Sequence, residues 1–214
     1  MGISESKRQK QLAKKKQKRK MKQAVVAAIA QRPSNILHTA KQSALSPIHE
    51  CLVSQELFEG EGMGNIVISR RINDLEFAIS VILLDVYCLG VKNAYFRVVS
   101  KADYKMTISH IERHEILRSI EPACTRKLVE ECIAYAKNIG FDPHPDYEFA
   151  QYIFGDIDTE QCAESYTFGK DGKPLYISGP NEGEDEIQEI LKTLTEHCGE
   201  ENFNVIINTG SLSL

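Results

Sequence analysis

The chain predicts a mixed α+β fold: an antiparallel meander of three to four strands covered by helices, preceded by a basic, helix-competent N-terminal arm. Three observations predict it. Short segments rich in β-branched and aromatic residues crowd between residues 51 and 99, apolar residues recur at helical spacing after residue 121, and positive charge is concentrated at the amino terminus.

The formal net charge of −4 conceals a sharp division. Residues 1–23 hold Lys7, Arg8, Lys10, Lys14, Lys15, Lys16, Lys18, Arg19, Lys20 and Lys22 against one acid, Glu5, for +9; residues 24–214 hold sixteen basic and twenty-nine acidic side chains, for −13. Residues 4–31 are rich in Lys, Gln and Ala and contain no Pro or Gly, so they can become helical once their mutual repulsion is neutralised. Breaks at Arg32-Pro33-Ser34-Asn35 and at 43–47 then separate a basic arm (1–31) and a linker (32–47) from an α+β domain (48–214).

Within that domain, strands are expected over Cys51–Ser54, Asn65–Arg71, Leu75–Leu84 and Ala94–Val99. In the third, Leu75, Phe77, Ile79, Val81 and Leu83 share a face, and the opposite face begins with Glu76, Ala78 and Ser80, as in a strand with one buried side. Gly60, Gly62 and Gly64 supply the preceding turn and Asn73-Asp74 the next. Glu121-Pro122 opens a helix that Leu128, Val129, Cys132, Ile133, Ala136 and Ile139 continue to Gly140. A shorter helix runs from Asp146 to Phe154. Lys170-Asp171-Gly172-Lys173 joins two short segments as a hairpin, acidic residues 182–186 lead a helix that Gly199 stops, and Phe203–Asn208 forms a last strand. The helices at 121–139 and 184–198 are expected to cover the meander.

Composition narrows the classes of function. With 42% hydrophobic and 26% charged residues, a conventional core needs no metal or disulfide staple. The six cysteines show no C-x-x-C pair and no zinc-finger spacing, and Cys88 and Cys132 sit in apolar stretches where a thiol acts as a small hydrophobe, so a reducing, cytoplasmic compartment is expected; the even count leaves a disulfide-bonded secreted protein as the alternative. The Ala24–Ala30 segment follows too long a basic stretch, and is too short and leucine-poor, for a secretory signal. The longest largely hydrophobic run of the body, Phe77–Leu84, is eight residues, well under the roughly 20 that span a bilayer. No membrane partner is expected.

The arm carries the strongest functional signal. Ten cations within residues 7–22 cannot be neutralised by their own segment, and displacing counterions from nucleic acid gives salt-steep affinity without base specificity. No aromatic side chain lies in that segment to stack on a base, so it reads as a phosphate clamp. A solubilising tail, a localisation signal and a dock for an acidic protein are the competing readings.

Two constellations in the body suggest chemistry instead. In Leu84-Asp85-Val86-Tyr87-Cys88-Leu89-Gly90-Val91-Lys92, Asp85 leaves a hydrophobic strand with Lys92 shortly after, as at a pocket mouth, or as in a strand-ending turn. Asp142-Pro143-His144-Pro145-Asp146 followed by Phe154-Gly155-Asp156-Ile157-Asp158 offers His144 and Asp146 with Asp156 and Asp158, an oxygen-plus-imidazole set suited to a divalent metal that activates water, or equally a series of turn and cap residues. His110 and His114, with Glu112 and Glu115 nearby, lack the H-E-x-x-H order of a zinc protease and read as a solvated face.

The stretches 84–92, Gly140-Phe141-Asp142-Pro143-His144-Pro145-Asp146-Tyr147 and Phe168-Gly169-Lys170-Asp171-Gly172-Lys173-Pro174-Leu175-Tyr176 resemble a family of bacterial proteins with no assigned activity, over roughly residues 50–195. That resemblance implies a bacterial cytosolic setting and brings no catalytic residues to carry over. The leading expectation is a nucleic-acid-associated accessory protein, binding RNA, DNA or the ribosome through its arm, with no cofactor. The alternatives are a metal-dependent hydrolase or nuclease using some of Asp85, His144, Asp146, Asp156 and Asp158, and a protein-interaction subunit with an acidic partner.

Overall fold

A computed structural model describes residues 35–179 and 182–208. The basic arm, including all ten of its cations from Lys7 to Lys22, lies outside the described residues. The chain divides into two units, 1–39 and 40–214. Residues 35–43 are helical (α1), within the stretch expected as a linker.

The second unit is α+β. Four strands, β1 (Ile48–Ser54), β2 (Met63–Arg71), β3 (Glu76–Asp85) and β4 (Gly90–Ser100), form an antiparallel meander. A short fifth strand, β5 (Leu117–Ser119), pairs antiparallel with β1, giving the order β4-β3-β2-β1-β5. Three residues carry too little pattern for β5 to be read from sequence. The β3–β4 turn closes at Gly90, whose φ of +69° and close approach to Ala136 both require glycine; a Cβ there would stand 2.7 Å from that of Ala136.

The sheet is covered on both faces, which corrects the expectation of one buried side for β3. Ala78, Ile82 and Leu84 join Cys51, Ile66 and Ile68 on one face, packed against Leu128, Val129 and Cys132 of α3 (Pro122–Asn138) and against Tyr147, Ala150, Ile153 and Phe154. Phe77, Ile79 and Val81 join Leu52 and Val67 on the other, beneath Tyr104 and Ile111 of α2 (Lys101–Ile111). Ser80, polar in the sequence, is fully buried and donates to the Ala150 carbonyl at 2.9 Å. Small residues at 78 and 80 thus mark room for a covering segment, where the pattern suggested solvent. Helix α2 begins where Ser100 accepts from the Asp103 N–H and donates to its carboxylate.

The segment expected as a helix from Asp146 to Phe154 is one α-turn, α4 (Tyr147–Ala150), continued as a 3-10 turn over Gln151–Phe154. Beyond it, the expected hairpin is reduced to its turn, closed by reciprocal backbone bonds between Lys170 and Lys173. Lys170 and Lys173 form an isolated bridge, and β6 (Leu175–Ile177) pairs in parallel with β7 (Asn204–Ile206) across the connecting helix α5 (Glu184–Cys198). Helix α5 covers this pair rather than the meander: Leu194, Ile187, Ile190 and Leu191 pack with Tyr176, Cys88 and Phe203.

Cys124, near the start of α3, is joined by a disulfide to Cys162, and both are buried. Cys51, Cys88, Cys132 and Cys198 are free thiols. Burial pushes the Cys51 thiol up to about 11 and raises Cys88 and Cys132 as well, so these buried thiols behave as the small hydrophobes their apolar neighbourhoods predict.

Candidate functional site

Asp85 and Lys92 lie at the same end of the β3–β4 pair, but each has an engaged partner. Asp85 ends β3 almost wholly buried, and its Oδ1 accepts from the Tyr87 N–H at 3.0 Å and the Cys88 N–H at 2.9 Å. The carboxylate folds the chain back into β4, the strand-ending turn that the sequence admitted. Burial raises its pKa from 3.8 to about 6, while the amides of Leu89, Cys88 and Tyr87 and the Lys92 charge oppose the rise.

That shift has a stability consequence. A carboxyl with a raised folded-state pKa holds its proton more tightly when folded, so it costs nothing below about pH 4, and its penalty grows until about pH 6 and then stays constant. The Asp85→Asn variant keeps an oxygen acceptor for the two amides and removes the charge. It is expected to gain about 3 kcal/mol at pH 7.5 and well under about 1 kcal/mol at pH 4. Urea unfolding at both pH values measures this, and a loss of stability at pH 7.5 would contradict the account.

Lys92 Nζ donates to Glu182 Oε1 at 2.7 Å, the other carboxylate oxygen accepts from Tyr176 Oη at 2.5 Å and from the Gly179 N–H at 3.0 Å, and both charged side chains are largely buried. Burial pushes the Glu182 carboxyl up, but the bonds from Lys92, Tyr176 and Gly179 outweigh it and the net pKa is lowered. The ammonium is thereby committed to holding the lead-in of α5 against the sheet. Nothing in the spacing of residues 92, 176 and 182 announces this contact, because each lies on a different element.

The second constellation is spread along the surface. The His144 N–H donates to the Val91 carbonyl and its Nδ1 accepts from the Asp146 N–H at 3.2 Å. Asp146 is exposed and makes no side-chain cap bond, whereas Asp158 caps the 3-10 turn Thr159–Gln161 by accepting from the Glu160 N–H at 3.0 Å. Asp156 is exposed, with the Arg70 charge nearby. Among the described residues, no group of three or more His, Cys, Asp or Glu could hold a metal ion. His110 and His114 meet edge to face at 5.7 Å on the surface. Glu115 instead turns inward, accepting from Ser54 Oγ and from the backbone and side-chain amides of Asn65. No buried side-chain nitrogen or oxygen among the described residues lacks a partner.

A different feature was missed in the sequence. A cleft of about 400 Å³ lies beside α2, lined by His49, Glu50, Arg71, Phe77, Tyr104 and Ile108, with Lys101, Lys105 and Ser109. The His49 ring packs on Phe77 at 4.7 Å and edge-on to Tyr104 at 5.4 Å, and its side chain retains 27% of its exposure. Lys101, Tyr104, Lys105 and Ile108 fall at i, i+3, i+4 and i+7, one face of α2. That spacing was the available signal, but it presents only two apolar residues between cations and does not stand out.

Compared with known proteins, the chain matches no family model, no curated protein and no solved structure.

Proposed function

We propose that the protein is a cytoplasmic, nucleic-acid-associated accessory protein that grips phosphate backbone through Lys7, Arg8, Lys10, Lys14, Lys15, Lys16, Lys18, Arg19, Lys20 and Lys22. The observation that carries this reading is the charge division: +9 within residues 1–23 against −13 in the remainder. A cation run of that density gains free energy wherever it replaces the condensed counterions of a polyanion. The engagement of Asp85 in a turn, of Lys92 in an ion pair and of Asp158 in a cap favours binding over hydrolysis, since these groups already serve the fold. No helix among the described residues is long and apolar enough to cross a membrane.

The test is binding of the full chain to single-stranded RNA and duplex DNA over a salt series. Changing Lys14, Lys15, Lys16, Lys18, Arg19 and Lys20 to glutamine is expected to weaken both and to reduce the slope of log K against log salt by about 0.7–0.9 for each phosphate no longer neutralised. Unchanged affinity would remove the arm from the account. Capture of an acidic protein with no affinity for nucleic acid would replace it with an interaction subunit.

A further inference from the structure

The cleft beside α2 differs in charge from four other concavities among the described residues. The one lined by Glu130, Lys137, Asp142, His144 and Glu148 is acidic on balance. In the one lined by Lys41, Arg126 and Tyr152, Arg126 is paired to Glu130 at 2.7 Å and Lys41 sits over the Tyr152 ring. Arg118 lines a third together with Glu121 and Glu164, and in a fourth Lys170 donates to the Tyr87 hydroxyl. At the α2 cleft, Arg71, Lys101 and Lys105 are exposed and make no ion pair with any described residue. Three unpaired cations on a body of net charge −13 are a local reversal of sign, set around an aromatic floor.

The lone carboxylate of the lining, Glu50, accepts from the Tyr104 hydroxyl beside the rings. There it suits an exocyclic amino group better than a phosphate. The accessible ring is His49, backed by Phe77 and Tyr104, which stack on each other at 5.1 Å and hold it from behind. A planar ring can lie on such a platform while an attached anion reaches the cations. The cleft volume falls near the lower end of the roughly 300–1,000 Å³ of small-molecule sites.

We propose that this cleft binds one nucleotide unit of a single-stranded nucleic acid, with its base on His49 and its phosphate between Lys101, Lys105 and Arg71. The inference rests on the reading of the chain as a nucleic-acid binder and specifies the form of that partner. The arm has no aromatic residue between positions 7 and 22 and clamps single and double strands alike; the cleft accepts a base only when it is unstacked, and so confers preference for single strands.

The test uses the full-length protein and the His49 imidazole proton resonance, assigned by its loss in the His49→Gln variant. Titration with adenosine 5′-monophosphate is expected to shift it saturably, and adenosine, lacking phosphate, to bind at least tenfold more weakly. Changing Lys101 and Lys105, both exposed, to glutamine should abolish that difference without affecting folding. With single-stranded RNA, His49→Gln should weaken binding by about fivefold to a hundredfold and leave duplex affinity within twofold. An unmoved His49 resonance, an equal response to adenosine, or a shift matched by benzoate overturns the proposal, the last in favour of a small aromatic acid. The glutamine variant of the arm must leave the mononucleotide titration unchanged, so failure of the arm and failure of the cleft give different results.

Discussion

Replacing Arg70 with methionine is expected to cost about 3–5 kcal/mol of folding stability, the largest effect of any single substitution argued for this chain. Arg70 is 4% exposed, and its guanidinium donates from Nε to the Ile153 carbonyl at 2.6 Å, from Nη1 to Ser46 at 2.6 Å and from Nη2 to Phe154 at 2.9 Å. These three carbonyls belong to loop or 3-10 backbone that no ladder serves; methionine fills the volume but takes away the donor at Ile153 and Ser46, while Phe154 keeps the Ile157 N–H at 3.2 Å. Burial lowers the Arg70 pKa, and the Asp156 carboxylate offsets part of that cost. Lysine keeps the charge but reaches one carbonyl at a time, so Arg70→Lys should lose roughly half as much. Urea unfolding of the three proteins gives the ranking. A methionine variant within about 1 kcal/mol of the parent would show that water serves the carbonyls equally well.

Reducing the Cys124–Cys162 disulfide is expected to lower stability by about 4 kcal/mol on the chain-entropy account. The bond closes a 38-residue separation that contains most of α3, all of α4 and the loops after them. Thermal unfolding with and without reductant measures the loss, and the Cys124→Ser, Cys162→Ser double variant should unfold at the same temperature in both conditions. If protein purified without reductant still titrates six thiols on denaturation, the bond does not form and the predicted difference disappears. The result also bears on compartment, because free buried thiols at 51, 88 and 132 and a closed pair at 124 and 162 place the chain in neither the disulfide-dense nor the wholly reduced class.

The strands of the meander were legible because β-branched and aromatic residues between 51 and 99 alternate with recognisable turns. Helix α3 was legible because its apolar residues repeat over 17 positions behind Glu121-Pro122. Helix α2 escaped because Lys101–Ile111 buries only Tyr104 and Ile111 and carries an exposed Met106, so its stripe is thin. The parallel β6–β7 pair escaped because its partners lie on either side of a helix, and local pattern carries no record of who pairs with whom. For the same reason Lys92 was noticed without Glu182 and Glu115 without Asn65. Asp85 was noticed as a carboxylate at a strand exit, with both of its readings open, and the two amides at 2.9 and 3.0 Å show the turn that it holds.

The double enclosure of β3 gives the molecule a safeguard against mispairing that owes little to polarity. A slip of one residue would exchange its two interiors, driving Phe77 and Ile79 into the space kept for Ala78 and Ser80 and leaving voids beneath α2. Both layers are buried, so a slip exposes little to solvent; the mismatch in volume penalises the error, and the alternation of bulky and slight side chains works as a key cut on both edges.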